Sequence, residues 1–148
     1  MTLWIDGDAC PRTIKDIVFR AALRTKTHIV VVSNHPLNTP QSPLIHKVQV
    51  GAGFDVVDNY IVAHIKAHDL VITADIPFAD AIITKGGVAL NPRGTLYNAN
   101  NIKPYLASRN VNESLRGAGL LSSGPGQYTP KDIQQFANQL DRWLAQQK

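Results

Sequence analysis

The feature that most narrows the fold of this chain is the alternation of short apolar runs with segments of helical periodicity. Leu3 to Asp6 reads as a buried strand, and Pro11 then opens a helix whose Ile14, Ile17, Val18, Ala21 and Ala22 follow an i, i+3, i+4, i+7, i+8 stripe. His28 to Ser33 is a β-branched run that predicts a second strand. Asn34 to Pro43 holds three prolines and predicts a loop, and Ile45 to Val50 predicts a third strand. After Gly51-Ala52-Gly53 the pattern predicts a helix from about Val56 to His68, a strand from Leu70 to Thr73, a helix opened by Pro77, and a strand from Gly87 to Leu90. This alternation predicts an α/β fold built on a central parallel sheet flanked by helices.

Beyond Leu90 the character changes. Asn91-Pro92-Arg93-Gly94 is turn chemistry, Ile102 to about Arg116 reads as helical with a break near Asn110, and Gly117 to Tyr128 reads as a glycine-rich loop. A last helix is announced by Thr129 as N-cap, Pro130 at the first helical position and Asp132 in the first turn, with Ile133, Phe136, Ala137, Leu140 and Leu144 at core spacing. No repeat or linker interrupts the 148 residues. The expectation is one domain, 1–148, with a helical C-terminal extension from about 101 to 148.

Composition excludes several classes. Apolar runs such as Ile29 to Val32 fall far below the ~18 residues of a membrane span, and no cationic leader precedes Leu3, so no membrane partner and a cytoplasmic address are expected. The single cysteine, Cys10, excludes an internal disulfide framework or a Cys-paired zinc site and reads as packing. His64 and His68 have helical ligand spacing but lie at the far end of their helix from Asp58, where contact with the helix C-terminus is the simpler account. Gly51-x-Gly53 lacks the third glycine of a dinucleotide fingerprint. The net charge of +4 fits nucleic acid or phosphate partners without demanding them.

The acids are more telling. Ten of the eleven are Asp, a short ligand and capping residue, and only Glu113 is the better helix former Glu. Ligands of open α/β sheets bind beyond the carboxyl ends of the parallel strands. Asp6 and Asp8 follow the first strand, Asp75 follows the strand at Leu70 to Thr73, and Asp80 lies one turn into the next helix. Asp58 heads the apolar stripe of Ile61, Val62 and Ile65, an unusual place for a carboxylate. Asp69 precedes the strand that Asp75 follows, about 20 Å away at ~3.3 Å per residue, and reads as scaffold.

Taken singly, each of these acids has a structural explanation: Asp8 or Asp75 as a helix cap, Asp80 as a first-turn acid favoured by the helix dipole. Taken together, Asp6, Asp8, Asp58, Asp75 and Asp80 would repel one another unless a hard divalent cation, Mg2+ or Mn2+, neutralises them. Such a site activates water and stabilises phosphoryl oxygens.

Asp6-Gly7-Asp8-Ala9-Cys10-Pro11, Val71-Ile72-Thr73-Ala74-Asp75-Ile76-Pro77-Phe78-Ala79-Asp80 and Asn91-Pro92-Arg93-Gly94 together resemble the bacterial YaiI/YqxD family. The likeness extends through Gly124-Pro125 and Phe136-Ala137-Asn138. That family is considered PIN-like, which implies a Mg2+ or Mn2+ site of the PIN ribonuclease type. On this resemblance Asp6 matches the acid after the first strand, Asp75 the acid of the Thr-x-Asp element, and Asp80 the accessory one. Asp58 stands where PIN nucleases usually carry Glu, and Asp8 is an additional carboxylate. The implied activity is a metal-dependent RNA phosphodiesterase with metal-bound water as nucleophile and Asp6, Asp58 and Asp75 at the catalytic centre.

Two rivals remain open at this level. A HAD-type phosphatase would use Asp6 as nucleophile and Asp8 as general acid, with Ser33, Lys47 or Lys66, Asp75 and Asp80 in supporting order, although Ala9-Cys10-Pro11 replaces the usual Gly-Thr. A non-catalytic RNA-binding module would use Arg12, Arg93, Lys103, Arg109 and Arg116, but aromatics at 7% leave few stacking platforms. Arg12 and Arg93 are the candidate substrate contacts, and for Arg93 a loop salt bridge is the competing assignment.

Overall fold

A computed structural model describes residues 1–53, 55–108 and 129–146. Six strands, β1 (Thr2–Asp6), β2 (His28–Ser33), β3 (Ile45–Gln49), β4 (Leu70–Ile72), β5 (Val88–Leu90) and β6 (Leu96–Tyr97), form one sheet in the order β3-β2-β1-β4-β5-β6. All neighbours pair parallel except β5 and β6. The helices are α1 (Arg12–Thr25), α2 (Val56–His64), α3 (Ile76–Thr84), α4 (residues 102–108) and α5 (Pro130–Gln146). The fold is therefore α/β, as the alternation predicts. No helix among the described residues is long and apolar enough to cross a membrane.

Strand alternation divides the core into two layers. Leu3, Ile5, Ile29, Val31, Leu70 and Ile72 point to one face, where they meet Ile14, Val18 and Ala22 of α1 and Phe136, Leu140 and Leu144 of α5. Trp4, Val32 and Val71 point to the other, against Val57 and Ile61 of α2 and Phe78 and Ile82 of α3. Trp143 of α5 also enters the core, while Ile133 and Ala137 are only half-buried. The start of α5 is a reciprocal capping box: the Asp132 N–H donates to Thr129 Oγ1 at 3.2 Å and the Thr129 N–H donates to Asp132 Oδ2 at 3.1 Å.

Several element ends differ from the sequence reading by a single residue, and three differences have a physical cause. Pro11 is the N-cap of α1 rather than its first residue, and no side chain caps that helix, so Asp8 does not. α2 stops at His64 instead of His68, because Ile65 is extended and Asp69 Oδ2 accepts the Lys66 N–H at 2.9 Å, pulling the chain into a turn that puts His68 at φ 73°. The antiparallel strand β6 was not foreseen: the Asn91-Pro92-Arg93-Gly94 turn folds the chain back so that the Asn91 N–H reaches Thr95 O at 2.8 Å. The break near Asn110, the helix as far as Arg116 and the Gly117 to Tyr128 loop lie outside the described residues.

Candidate acidic site at the carboxyl edge of the sheet

β1 and β4 are neighbours in the sheet, with Ile5 opposite Ile72, so their carboxyl ends deliver Asp6 and Asp75 to the same edge. Asp6 Oδ1 accepts the backbone N–H groups of Asp8 at 3.0 Å and Ala9 at 3.1 Å, which folds the β1–α1 connection into an Asx turn. Burial raises the Asp6 pKa, the two backbone bonds oppose the shift, the Asp8 charge adds to it and Lys15 counters it. Asp75 follows Thr73, whose Oγ1 accepts the Asp75 N–H at 3.0 Å, and its own Oδ1 accepts the Phe78 N–H at 3.1 Å as the N-cap of α3.

Asp58 sits in the first turn of α2, half-buried. Its pKa is raised to about 6, first by burial and then by the charges of Asp6, Asp75 and Asp55. Asp6 and Asp75, from two other elements, are thus within electrostatic reach of Asp58. Among the described residues, no three Asp, Glu, His or Cys side chains form a ready-made metal cage. The donor set nonetheless suits Mg2+ or Mn2+: hard oxygen ligands, a charge surplus at Asp58, and an ion that commonly takes one or two carboxylates and fills its remaining positions with water.

The other sequence candidates divide. Asp8 is turned toward the β2–β3 loop, where Oδ2 accepts the Asn34 N–H at 2.6 Å and Oδ1 lies 3.3 Å from His35 Nδ1. Asp80 is half-buried on α3, and neither it nor Asp8 is among the charges acting on Asp58. Arg93 takes the salt-bridge alternative: its guanidinium pairs with Asp132 at 2.6 Å in a partly buried contact that ties the β5–β6 turn to α5. Arg12 is exposed at the start of α1. Asp69 is scaffold, as its position predicts; it is 4% exposed and accepts from the Thr2 N–H, Trp4 Nε1 and the Lys66 N–H.

The supporting residues of the phosphatase reading are otherwise engaged, although Ser33, at the end of β2, lies beside Gly7 at the same edge. Ser33 Oγ donates to His35 O at 2.6 Å, Lys47 Nζ donates to Leu37 O at 3.2 Å, and Lys66 lies in the Asp69 turn at the opposite edge of β4. Burial raises the Cys10 thiol to about 12, so it stays protonated and packs. His64 Nδ1 contacts Tyr60 O at 2.7 Å and its ring stacks on Tyr60, while His68 lies outside α2, so these two histidines form no helical ligand pair.

Two residues near the site had escaped the sequence reading. Lys15 follows Ile14 in α1, and its Nζ donates to Gly7 O at 3.0 Å. Its place directly beside the apolar stripe was the signal in the sequence. Asp55, the left-handed N-cap of α2, adds a further charge toward Asp58.

Comparison with known proteins gives a consistent family and no solved structure. A family model described as "Uncharacterized BCR, YaiI/YqxD family" matches residues 4–146. A UPF0178 protein of Legionella pneumophila (strain Philadelphia 1) is 55% identical over 148 residues, covering 100% of both chains. UPF0178 proteins of Maridesulfovibrio salexigens and Psychromonas ingrahamii are each 53% identical, the first over 97% of this chain and 95% of its own, the second over 100% and 98%. No solved structure matches.

Proposed function

The chain belongs to the YaiI/YqxD family, and on that premise we propose that it is a Mg2+- or Mn2+-dependent phosphodiesterase acting on RNA in the cytoplasm. The observation that carries this reading is Asp58, a carboxylate on the half-buried face of α2 whose pKa is pushed to about 6 by burial and by Asp6 and Asp75. Scaffolds seldom place two acids so that they make a third harder to ionise, and perturbed carboxylates at the ligand-binding edge of a sheet mark functional sites.

A bound divalent cation would neutralise the cluster, activate water and stabilise the phosphoryl oxygens. Asp6, rigidified by its Asx turn, and Asp75, held by the N-cap of α3, would be the principal ligands. Asp58 would add its charge to that site from α2. Asp80 lies one turn further along α3 than Asp75, and Asp8 braces the β2–β3 loop beside the site. With Asp6, Asp58 and Asp75 assigned to the centre, the rest of the chain carries fifteen bases against eight acids, a basic frame suited to a polyanion.

Calorimetry with Mn2+ tests the centre: the unaltered protein should show one saturable site that Asp6→Asn loses. Cleavage of single-stranded RNA should require Mg2+ or Mn2+, vanish in Asp6→Asn, and fall steeply as salt increases. Equal Mn2+ binding by both proteins, or cleavage that survives in EDTA, would refute the proposal.

A further inference from the structure

Next to the acidic edge, a cleft of about 410 Å³ opens between α1 and the β2–β3 loop. Arg12, Lys15 and Asp16 line it from α1, and Leu37, Asn38 and Thr39 from the loop. Its size falls within the roughly 300–1,000 Å³ typical of small-ligand sites. Two contacts connect it to the β1–α1 turn. Lys15 Nζ donates to Gly7 O at 3.0 Å, and a side chain at Gly7 would collide with Leu37 and Val31, so the backbone between Asp6 and Asp8 forms part of the cleft's support.

The lining chemistry selects among ligands. Arg12 is exposed, and among the described residues its guanidinium makes no hydrogen bond or ion pair, so its five donors are available to an anion. Lys15 adds a second cation from the next position on the same wall. A site for inorganic phosphate alone would need neither the apolar surface of Leu37 nor the carboxylate of Asp16, and Asp16 would oppose it. A nucleotide uses all three kinds of surface: cations for its phosphate, an apolar wall for its base, and an acceptor for the hydroxyls of its ribose.

We infer that this cleft binds one ribonucleotide unit of the strand on which the acidic centre acts, with its phosphate at Arg12 and Lys15, its base against Leu37 and its ribose toward Asp16. This rests on the phosphodiesterase reading for its biological meaning, but it can be tested without it. Because the cleft adjoins Gly7, the next phosphodiester along a strand seated there lies toward Asp6. The site would thus set the register of the strand at the acidic edge.

The test is an amide NMR titration of the full chain with uridine 5′-monophosphate, 2′-deoxyuridine 5′-monophosphate and inorganic phosphate, in EDTA at low salt. Uridine 5′-monophosphate should bind most tightly, with shifts concentrated at 12–16 and 37–39. Arg12→Gln should weaken it about tenfold, as expected for a lost charge-assisted pair. Inorganic phosphate binding as tightly as the nucleotide, the deoxy analogue binding equally well, unchanged affinity in Arg12→Gln, or shifts centred elsewhere would each overturn the inference. Since EDTA removes divalent ions, the outcome is independent of the Mn2+ calorimetry, and either proposal can fail while the other stands.

Discussion

The carboxylate of Asp75 accepts the Phe78 N–H at 3.1 Å while its charge bears on Asp58, so one side chain caps α3 and contributes to the acidic cluster. The two roles separate by substitution. Asn caps a helix about as well as Asp, whereas Ala does not. Asp75→Ala should therefore lose stability in EDTA, by about 1 kcal/mol for the cap less the repulsion that it also relieves. Asp75→Asn should instead gain about 0.5 kcal/mol by relieving repulsion at an exposed, well-screened position. Both should abolish RNA cleavage. Excess Mg2+ should erase the advantage of Asp75→Asn, because the ion stabilises the intact site by mass action. Thermal melts in EDTA and in Mg2+ decide; an Asp75→Asn protein that melts no higher than the unaltered protein in EDTA would mean that Asp75 caps α3 and adds no repulsion to the cluster.

Asp58 makes stability depend on pH in a defined direction. Its folded pKa of about 6 lies above the ordinary carboxylate value of 3.8, so folding favours the protonated form. The associated stabilisation is complete below about pH 4 and is lost as pH rises through about 6. Asp58→Asn cannot ionise, so in EDTA it should melt higher than the unaltered protein at pH 7 and converge with it near pH 3.5. A difference in melting temperature that stays constant from pH 3.5 to 7 would remove Asp58 from the cluster.

At the opposite edge, Asp69 is a latch rather than a site. It accepts from Trp4 Nε1 and the Thr2 N–H at 3.0 Å each and from the Lys66 N–H at 2.9 Å. Asp69→Ala strands these donors and should cost on the order of 3 kcal/mol or more in urea unfolding. Mn2+ affinity measured on the folded fraction should be unchanged, since the site lies beyond the other end of β4. A parallel loss of Mn2+ binding would show that the two edges are coupled.

Gly94 governs the docking of α5. Its φ of 98° suits glycine, and an added Cβ would strike the backbone of Gln135 and Phe136. Gly94→Ala should cost about 1–3 kcal/mol from backbone strain alone. The collision adds to this by pushing α5 off the turn that Arg93 and Asp132 hold. Faster hydrogen exchange in α5 than in β1 would locate the damage; uniform acceleration would mean that α5 is inseparable from the core.

What could be read along the chain was local. The β-branched run at 28–33, the stripe of α1 and the Thr129-x-x-Asp132 cap predict their own elements because propensity, periodicity and capping act over a few residues. Asp69 was legible as scaffold from its place before β4, and the Asp58 anomaly from its position on an apolar stripe. The end of α2 was not, although its cause is equally local: the apolar spacing runs on through Ile65, and the capture of the Lys66 N–H by Asp69, three residues on, overrides it.

Only the tertiary structure decided how the acids are shared out. Asp8 reads like Asp6 in the sequence, yet the Asn34 N–H, 26 positions away, draws it to the β2–β3 loop, and Asp132 claims Arg93 from 39 positions away. Placing β4 next to β1 brings Asp75 to the edge occupied by Asp6, and packing α2 on the same face adds Asp58. Side-chain type and helical or strand period are properties of neighbours in the chain. Burial, electrostatic repulsion and hydrogen-bond partnership depend on distances through space, which exist only once the sheet has been assembled.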